Sequence, residues 1–538
     1  MRAPQILAPL AAALVLAAPL TSFAQGAKPA KPTAPTVTAR PTAPAATQKA
    51  ATAKPTAPSA PSPASAAKPP AKPVPAQPVA AVVAAPKTAS SAPEFALKLD
   101  VQRAKLDNGL RVVMLVDHTA PTVAVDVVYD VGARNEERGH AGFAHLFEHM
   151  MFQGSANVAR GDHFKLVTGH GGTLNGTTSS DRTNYFEMMP QSELALALWL
   201  EADRMKSLDI SQKNFENQRA VVKEEFRMRI DNVAYVPAEL RLQEMVFQGY
   251  WPYEHASIGS MRDLDAAQLD WVRAFHDQYY APNNAVLSIA GDFEPDAALE
   301  MVKKYFGGAK PLAQLPKYEP GTIPEQTAPR DAVMEDAHAK LPAVMWGWAI
   351  PQTREPDHYA LELAGMLLTD GESSRLYRSL VRERSVAIEV DAGTSQNRGP
   401  DMFELSTKLA GGAKMAEVEK MMGTALSDVA KNGPSDAEMM KLKNRIKAKF
   451  LLGLQSNFAR AQKLAEFEVY WGDASLLNAE LGKYLAVSKA DIKRVVGTYL
   501  TPARRSRIEV KPAVSEAAAP AAPVAPVPTV PAAEKKKK

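Results

Sequence analysis

The chain has 538 residues, no cysteine and a formal net charge of +4. Without cysteine there is no disulfide, no thiolate nucleophile and no thiolate metal ligand, so a metal would have to be bound by histidine, aspartate or glutamate. Residues 1–93 contribute +9 and residues 512–538 contribute +2, which leaves −7 for residues 94–511. A mildly acidic core argues against nucleic acid as a partner.

Residues 1–24 are typical of a secretory signal peptide. Arg2 precedes an apolar run, and Ser22-Phe23-Ala24 supplies the small-x-small pattern at which such signals are cleaved. An uncleaved membrane anchor is the alternative, but Pro9 and Pro19 interrupt the run and no charged stop-transfer segment follows. We therefore expect export to the periplasm of a Gram-negative bacterium.

The segments 25–93 and 512–538 are predicted to be disordered. Residues 26–93 and 512–538 hold 22 of the 42 prolines, mixed mainly with alanine, serine, threonine and lysine. Such segments lack the apolar surface that would offset the entropy of ordering. The Lys-bearing linker and the terminal lysine run could make weak contact with anionic envelope polymers, although a solvated spacer is the simpler interpretation.

Residues 94–511 are long enough for two domains. Alternation and turn residues predict a hairpin around Asn108-Gly109, then a strand at 122–133 and a helix from about Ala141. A glycine-rich turn at 168–180 follows. The remaining elements predicted for the first half are a strand at 181–190, two helices between 192 and 229, a helix at 268–280 and a strand at 283–293.

The second half repeats this order, with a strand at 342–351 and a helix at 358–368. An offset of 218 residues aligns His145, Glu148 and His149 with Leu363, Met366 and Leu367. We therefore predict an α+β fold of two homologous domains, 94–315 and 316–511, each a mostly antiparallel sheet packed with helices. Only the first domain would carry polar groups on this helical face.

The stretch HLFEH, residues 145–149, is the main candidate site. Residues four apart share one face of a helix, so His145 and His149 could bind one metal ion. Zinc lowers the pKa of a coordinated water toward neutrality, and Glu148 could act as the general base. From the pentapeptide alone, a pair of surface histidines beside a solvated glutamate is an equally good interpretation. A closed site would also need a third ligand.

HLFEH matches the HxxEH signature of the inverzincins. From about Val101 to Pro512 the chain resembles the pitrilysin, or insulinase, family of zinc metallopeptidases, in the short form typified by mitochondrial processing peptidase and its bacterial relatives. The resemblance rests on five blocks in the family order, which are HAGFAHLFEHMMFQGS, GGTLNGTTSSDRTNYFEMMP, NQRAVVKEEFRMRIDN, YYAPNNAVLSIAGDF and GESSRLYRSLVRE.

The resemblance implies one zinc ion per chain, with Glu225 as the third ligand and Glu224 as the alternative if the alignment slips by one residue. Seven residues before Glu225, the family often has a glutamate that supports catalysis, where this chain has Gln218. The resemblance also implies that Asn175 and Gly176 bind the backbone of a peptide substrate from an edge strand.

In the family, an arginine followed about seven residues later by a tyrosine completes the site from the second domain. Here Arg382 is followed by Ile388 and Glu389, and no tyrosine lies nearby. The resemblance therefore implies half of a clamshell, in which a homologous second subunit supplies the Arg/Tyr pair. A homodimer with another donor is the alternative.

These features together predict a zinc-dependent endopeptidase of the cell envelope that cleaves extended or unfolded peptides. One alternative is a protease specific for the processing of one exported protein. Another is a non-catalytic peptide-binding or envelope scaffold subunit. Outside the motif, most histidines show no metal spacing, and only His163 and His170 are considered weak candidates for substrate contact.

Overall fold

The computed structural model describes residues 97–317, 319 and 321–513. The predicted signal peptide, the linker 25–93 and all but two residues of the tail 512–538 lie outside this range. Within it, two β-sheets are each packed with helices, which confirms the predicted α+β class. None of the helices described is both long enough and apolar enough to span a bilayer.

The first sheet is formed by strands of the first half. They are β1 (Gln102–Lys105), β2 (Arg111–Val116), β3 (Thr122–Tyr129), β4 (Thr173–Thr178), β5 (Thr183–Pro190) and β6 (Ala285–Gly291). Their order is β1-β2-β6-β3-β5-β4, and only the β2–β6 pair is parallel. Strand β4 therefore lies at an edge of the sheet.

Among the residues described, the second sheet repeats this pattern without a counterpart of β1. Its strands are β7 (Arg330–Asp336), β8 (Ala343–Ile350), β9 (Ala387–Thr394), β10 (Asp401–Leu409) and β11 (Ser506–Pro512). Their order is β7-β11-β8-β10-β9, again with a single parallel pair, β7–β11. The shared strand order agrees with the internal repeat read from the sequence.

Helices fill both halves of the chain. In the first half they are α1 (Phe143–Met150), α2 (Asp162–Gly169), α3 (Leu194–Ser207), α4 (Gln212–Phe226), α5 (Val236–Val246), α6 (Trp251–Glu254), α7 (Met261–Ala266), α8 (Leu269–Tyr279) and α9 (Pro295–Phe306). In the second half they are α10 (Pro356–Thr369), α11 (Met415–Asn432), α12 (Asp436–Leu452), α13 (Asn457–Trp471), α14 (Leu477–Ala486) and α15 (Lys489–Tyr499). Helix α4 continues into a π-helical turn, Arg227–Asp231.

The largest core lies between the first sheet and helices α1, α3, α8 and α9, because alternate residues of β3 such as Val125 and Val127 point toward those helices. The equivalent core of the second sheet includes α10, α11 and α15. Leu363, Met366 and Leu367 are all buried in α10, so the helix aligned with HLFEH is apolar at those three positions.

The other face of each sheet is covered by a helix from the opposite half. Helix α13 packs on β2, β3 and β6 of the first sheet, and helix α5 packs on β8 and β11 of the second. The contact with α5 is close: a Cβ at Gly347 of β8 would lie 2.7 Å from Val246 Cγ2. The two halves are thus interlocked, and neither half supplies all the helices that cover its own sheet.

The stretch 168–180, predicted as a glycine-rich turn, differs from that expectation. Its first residues end α2, but residues 173–178 form the edge strand β4, antiparallel to β5. Small and polar residues disguise the strand in the sequence, because TLNGTT lacks the apolar alternation of a half-buried strand. The edge-strand position that the family resemblance implied for Asn175 and Gly176 agrees with this arrangement.

Candidate metal centre

Helix α1 presents the motif histidines from a packed platform. Leu146, Phe147 and Met150 are fully buried in the core, whereas the His145 and His149 side chains are 12% and 21% exposed. This separation of faces follows from the helical period, because positions 145 and 149 share a side that adjoins α4 and β4.

A buried carboxylate fixes the start of α1. Glu136 accepts hydrogen bonds from the backbone N–H of Gly142 at 2.8 Å and of Ala144 at 2.7 Å, and His255 Nε2 lies 3.0 Å from the same carboxylate. A negative charge at a helix N-terminus is stabilising. Sequence reasoning missed Glu136, although an acidic residue shortly before a predicted helix is a recognisable signal for such a role.

Helix α4 brings a glutamate, the candidate third ligand, close to the two histidines. Glu225 Oε2 lies 3.1 Å from His149 Nε2 and 3.8 Å from His145 Nε2. Candidate ligand atoms of all three residues lie within 4.8 Å of one another. The neighbouring Glu224 points away, because its side chain is 62% exposed and pairs with Arg227 at 2.9 Å.

The three residues fit a zinc ion. Two imidazoles and a carboxylate are a common zinc donor set, and tetrahedral ligands about 2.0 Å from the metal are roughly 3.3 Å from each other. The distances of 3.1 and 3.8 Å from Glu225 to the two histidines bracket that value. The cluster therefore has both the chemistry and the spacing of a zinc site.

The protonation states also suit a cation. Burial, followed by the charge of His149, lowers the pKa of His145 to about 3, so this imidazole is neutral at physiological pH. Burial would raise the pKa of Glu225, but contact with His149 and the charge of His145 outweigh it and hold the pKa at about 2. Burial likewise opposes protonation of His149, whereas Glu225 and Glu148 raise its pKa overall. His145 is thus neutral and Glu225 ionised, the forms in which both can bind a metal ion.

Glu148 lies beside the cluster on the same helix. Its Oε2 accepts a 2.5 Å hydrogen bond from Thr178 Oγ1 on β4. Burial raises the pKa of Glu148, partly opposed by the charge of His149 and the Thr178 hydrogen bond. Sequence reasoning missed Thr178, although the two-residue period of a strand places it on the same face as Gly176.

The edge strand β4 passes directly beside Glu148. Gly176 is buried, and a Cβ there would lie 3.1 Å from Glu148 Cγ and 3.2 Å from Phe152 Cε2. Asn175 is half-buried and pairs with Phe186 of β5. The other side of β4 has no strand partner among the residues described, so its backbone can pair with an extended chain.

The remaining positions considered from the sequence are Gln218 on α4 and Arg382, Ile388 and Glu389 in the second half. Gln218 is buried on α4 and contacts His149, where it helps to raise the pKa of that histidine. Arg382 lies in a π-helical turn, Tyr377–Glu383, and pairs with Glu372 at 3.7 Å. Ile388 is exposed on β9, and Glu389 pairs with Lys408 at 2.9 Å.

A second group of potential ligands, formed by His163, Glu187 and Glu201, is fully buried. The guanidinium of Arg204 already occupies this group, paired with Glu201 and 3.5 Å from Glu187. Arg204 thus supplies the positive charge that balances Glu187 and Glu201. Because His163 is enclosed and lies 3.2 Å from Glu187, its contacts are structural.

A His₂Glu cluster on two helices, beside a half-buried glutamate and an open strand edge, is the arrangement of a metallopeptidase. The family model of insulinase (peptidase family M16) matches residues 111–250, and that of the peptidase M16 inactive domain matches residues 266–446. The zinc protease PqqE of Helicobacter pylori is 32% identical over 412 residues, covering 76% of this chain and 92% of the relative.

Solved structures agree with the sequence comparison. The crystal structure of a protease from Helicobacter pylori superposes with a TM-score of 0.73 at 30% identity, covering 77% of this chain and all of that one. A peptidase M16 inactive domain from Pseudomonas fluorescens superposes with a TM-score of 0.70 at 19% identity, covering 78% of this chain and 99% of that one. The chain belongs to the insulinase family, peptidase family M16, and is a zinc metallopeptidase.

Proposed function

We propose that this chain is the zinc-bearing subunit of a cell-envelope endopeptidase that cleaves extended or unfolded peptides. One observation carries the proposal: Glu148, on the helix of the His₂Glu cluster, accepts a hydrogen bond from Thr178 of β4, a strand whose outer edge has no strand partner among the residues described. A peptide that pairs with this edge passes the cluster and the carboxylate with its backbone extended.

His145, His149 and Glu225 would hold one zinc ion, which supplies a Lewis acid for peptide hydrolysis. Strand β4 binds the substrate through main-chain hydrogen bonds near Asn175 and Gly176, which selects extended segments over folded ones. Glu148 accepts a proton from the attacking water and returns it to the leaving amine. Thr178 keeps the carboxylate of Glu148 turned toward the edge strand.

The proposed partner follows from the second half of the chain. Arg382 has no tyrosine shortly after it, and the corresponding stretch holds Ile388 and Glu389. A homologous subunit with an Arg/Tyr pair would complete the site across a clamshell. A second copy of this chain, with another hydrogen-bond donor, is the alternative partner.

The proposed location is the periplasm, supported by the signal-like sequence of residues 1–24. A broad role in degrading unfolded envelope proteins accords with the backbone-directed recognition that an edge strand offers. A scaffold without catalysis is disfavoured, because His145, His149, Glu225 and Glu148 are all present and lie together.

The experiment combines metal analysis with one substitution. The purified mature chain should contain one zinc per chain by mass spectrometry, and Glu148→Gln should keep the zinc but abolish cleavage of an unfolded reporter protein. Cleavage is measured for the chain alone and after mixing with a family member that carries the Arg/Tyr pair. A zinc-free folded protein, or cleavage that survives Glu148→Gln, would refute the proposal.

A further inference from the structure

The two carboxylate oxygens of Glu225 have different partners. Oε2 faces the histidines, at 3.1 Å from His149 Nε2. Oε1 lies 3.0 Å from the guanidinium of Arg229. The Glu225 side chain is 15% exposed and that of Arg229 is 63% exposed, so the arginine reaches the carboxylate from the solvent side.

The π-helical turn that follows α4 sets this contact. Arg229 is four residues after Glu225 and lies within the turn Arg227–Asp231. Such turns are rare and occur frequently at functional sites. The preceding acidic residue uses a different arginine, because Glu224 pairs with Arg227 at 2.9 Å on the exposed side of the helix. The segment thus holds two similar ion pairs, and only one of them includes a member of the cluster.

Stability alone does not account for the pair with Arg229. Ion pairs that involve an exposed side chain contribute little to folding, on the order of 0–1 kcal/mol. The contact does, however, restrict a metal ligand. A glutamate carboxylate rotates easily about its last torsion, so the carboxylate of an unrestrained Glu225 would adopt a broad range of orientations relative to the histidines.

We propose that Arg229 is a positioning residue for the metal site: it holds Oε1 of Glu225 so that Oε2 alone faces His145 and His149. This inference rests on the proposed zinc-binding function of the cluster. Groups that orient the ligands of a metal typically change its affinity by about 10- to 100-fold when they are removed.

An opposing effect has to be weighed. The positive charge of Arg229 repels a cation, so its removal would by itself tighten metal binding. Because the guanidinium is largely exposed, solvent and salt screen this repulsion. The orienting effect therefore dominates, and loss of Arg229 weakens zinc binding.

The test measures zinc affinity of the full mature chain by competition with a chromophoric chelator. Arg229→Met removes the charge and the donors but keeps the aliphatic stem, and should raise the zinc dissociation constant about 10-fold. Arg227→Met is the matched control and should leave it within roughly 2-fold, since the pair it removes is an exposed one. Arg229→Lys restores a hydrogen-bond donor for Oε1 of Glu225 at the same position and should recover most of the affinity.

A second readout separates orientation from damage to the fold. Peptide cleavage by Arg229→Met should return to near wild-type rates at saturating zinc, and circular dichroism of the metal-free protein should be unchanged. If Arg229→Met binds zinc as tightly as Arg227→Met, or more tightly than wild type, the inference is wrong. If the wild-type chain binds no zinc, the proposed function fails as well.

Discussion

Thr178 Oγ1 donates a hydrogen bond to Glu148 Oε2 at 2.5 Å, joining the edge strand β4 to the helix that carries the metal motif. The strand that would bind a peptide therefore also orients the residue that would act on it. Peptide binding and proton transfer would then be coupled through one hydroxyl group.

Thr178→Val should separate these two roles. Valine keeps the β-branched shape that suits a strand but cannot hold the carboxylate, so kcat should fall about 10-fold, part of the 10²- to 10⁴-fold that general-base catalysis contributes. KM and zinc content should stay unchanged. Thr178→Ser should restore kcat, and a rise in KM with constant kcat would contradict the positioning role.

The contact between α5 and β8 should be sensitive to one added methyl group. Gly347→Ala would place a Cβ 2.7 Å from Val246 Cγ2 and 3.1 Å from Leu242 Cγ, so overpacking should cost about 1–3 kcal/mol in the free energy of unfolding. Gly482→Ala in α14 is the control, because nothing lies within 4 Å of its Cβ and alanine favours a helix by about 1 kcal/mol. Urea unfolding of both variants measures the difference. Equal stabilities would show that α5 does not pack tightly on the second sheet.

Asp126 should make the stability depend on pH. It is fully buried in β3, accepts a 2.7 Å hydrogen bond from Asn184, and leaves its second oxygen without a partner among the residues described. Burial raises the pKa of Asp126 to about 7, opposed by Asn184 and Arg182 and reinforced by Glu201 and Glu466.

Because the folded state binds this proton more tightly than the unfolded state, the stabilisation is complete below about pH 4 and is lost as pH rises toward 7. The loss amounts to at most about 4 kcal/mol. Asp126→Asn should remove this dependence, so the variant should be more stable than wild type at pH 8 and similar to it at pH 4. Urea unfolding at the two pH values tests this, and parallel profiles would contradict the assignment.

Arg398 should be a main link between the halves of the chain. Its backbone N–H donates to Asp181 at 2.9 Å, and its guanidinium donates to Asp130 at 2.9 Å and to the carbonyl of Tyr470 at 3.1 Å. Arg398→Met removes the guanidinium from half-buried Asp130 and a positive charge from the surroundings of buried Asp181, and should cost about 2 kcal/mol.

The matched control is Arg494→Met, which breaks a half-exposed pair with Asp357 and should cost less than about 1 kcal/mol. Asp181 lies in the turn that joins β4 to β5, so Arg398→Met should also reduce cleavage of peptides. Thermal unfolding and peptide cleavage are measured together. A cost no larger than that of the control would contradict the proposed link.

Much of the fold could be read from the sequence because its signals are local. The apolar periodicity of β3, β6 and α1 predicted those elements, and the repeated order predicted two related sheets. The assignment of helices to sheets could not be read, since the apolar face of α5 or α13 does not encode which sheet it covers.

The candidate site likewise has one part that local sequence signals predicted and another part that they did not. His145, Glu148 and His149 are neighbours in one helix, so their spacing was sufficient to bring them together. Glu225 lies 76 residues beyond His149, and only the family resemblance indicated it. Arg229 and Thr178 act through contacts with other side chains, for which a single sequence carries no distance information. The roles of all these residues stay predictions until the variants are measured.

The exchange of α5 and α13 has a consequence for how this chain can be divided. A cut in the segment between α9 and β7 would give two fragments, each with one sheet face stripped of its helix. The fragments should aggregate when expressed separately and recover solubility only when produced together. A partner subunit would then have to bind the intact chain, because neither half would be stable alone.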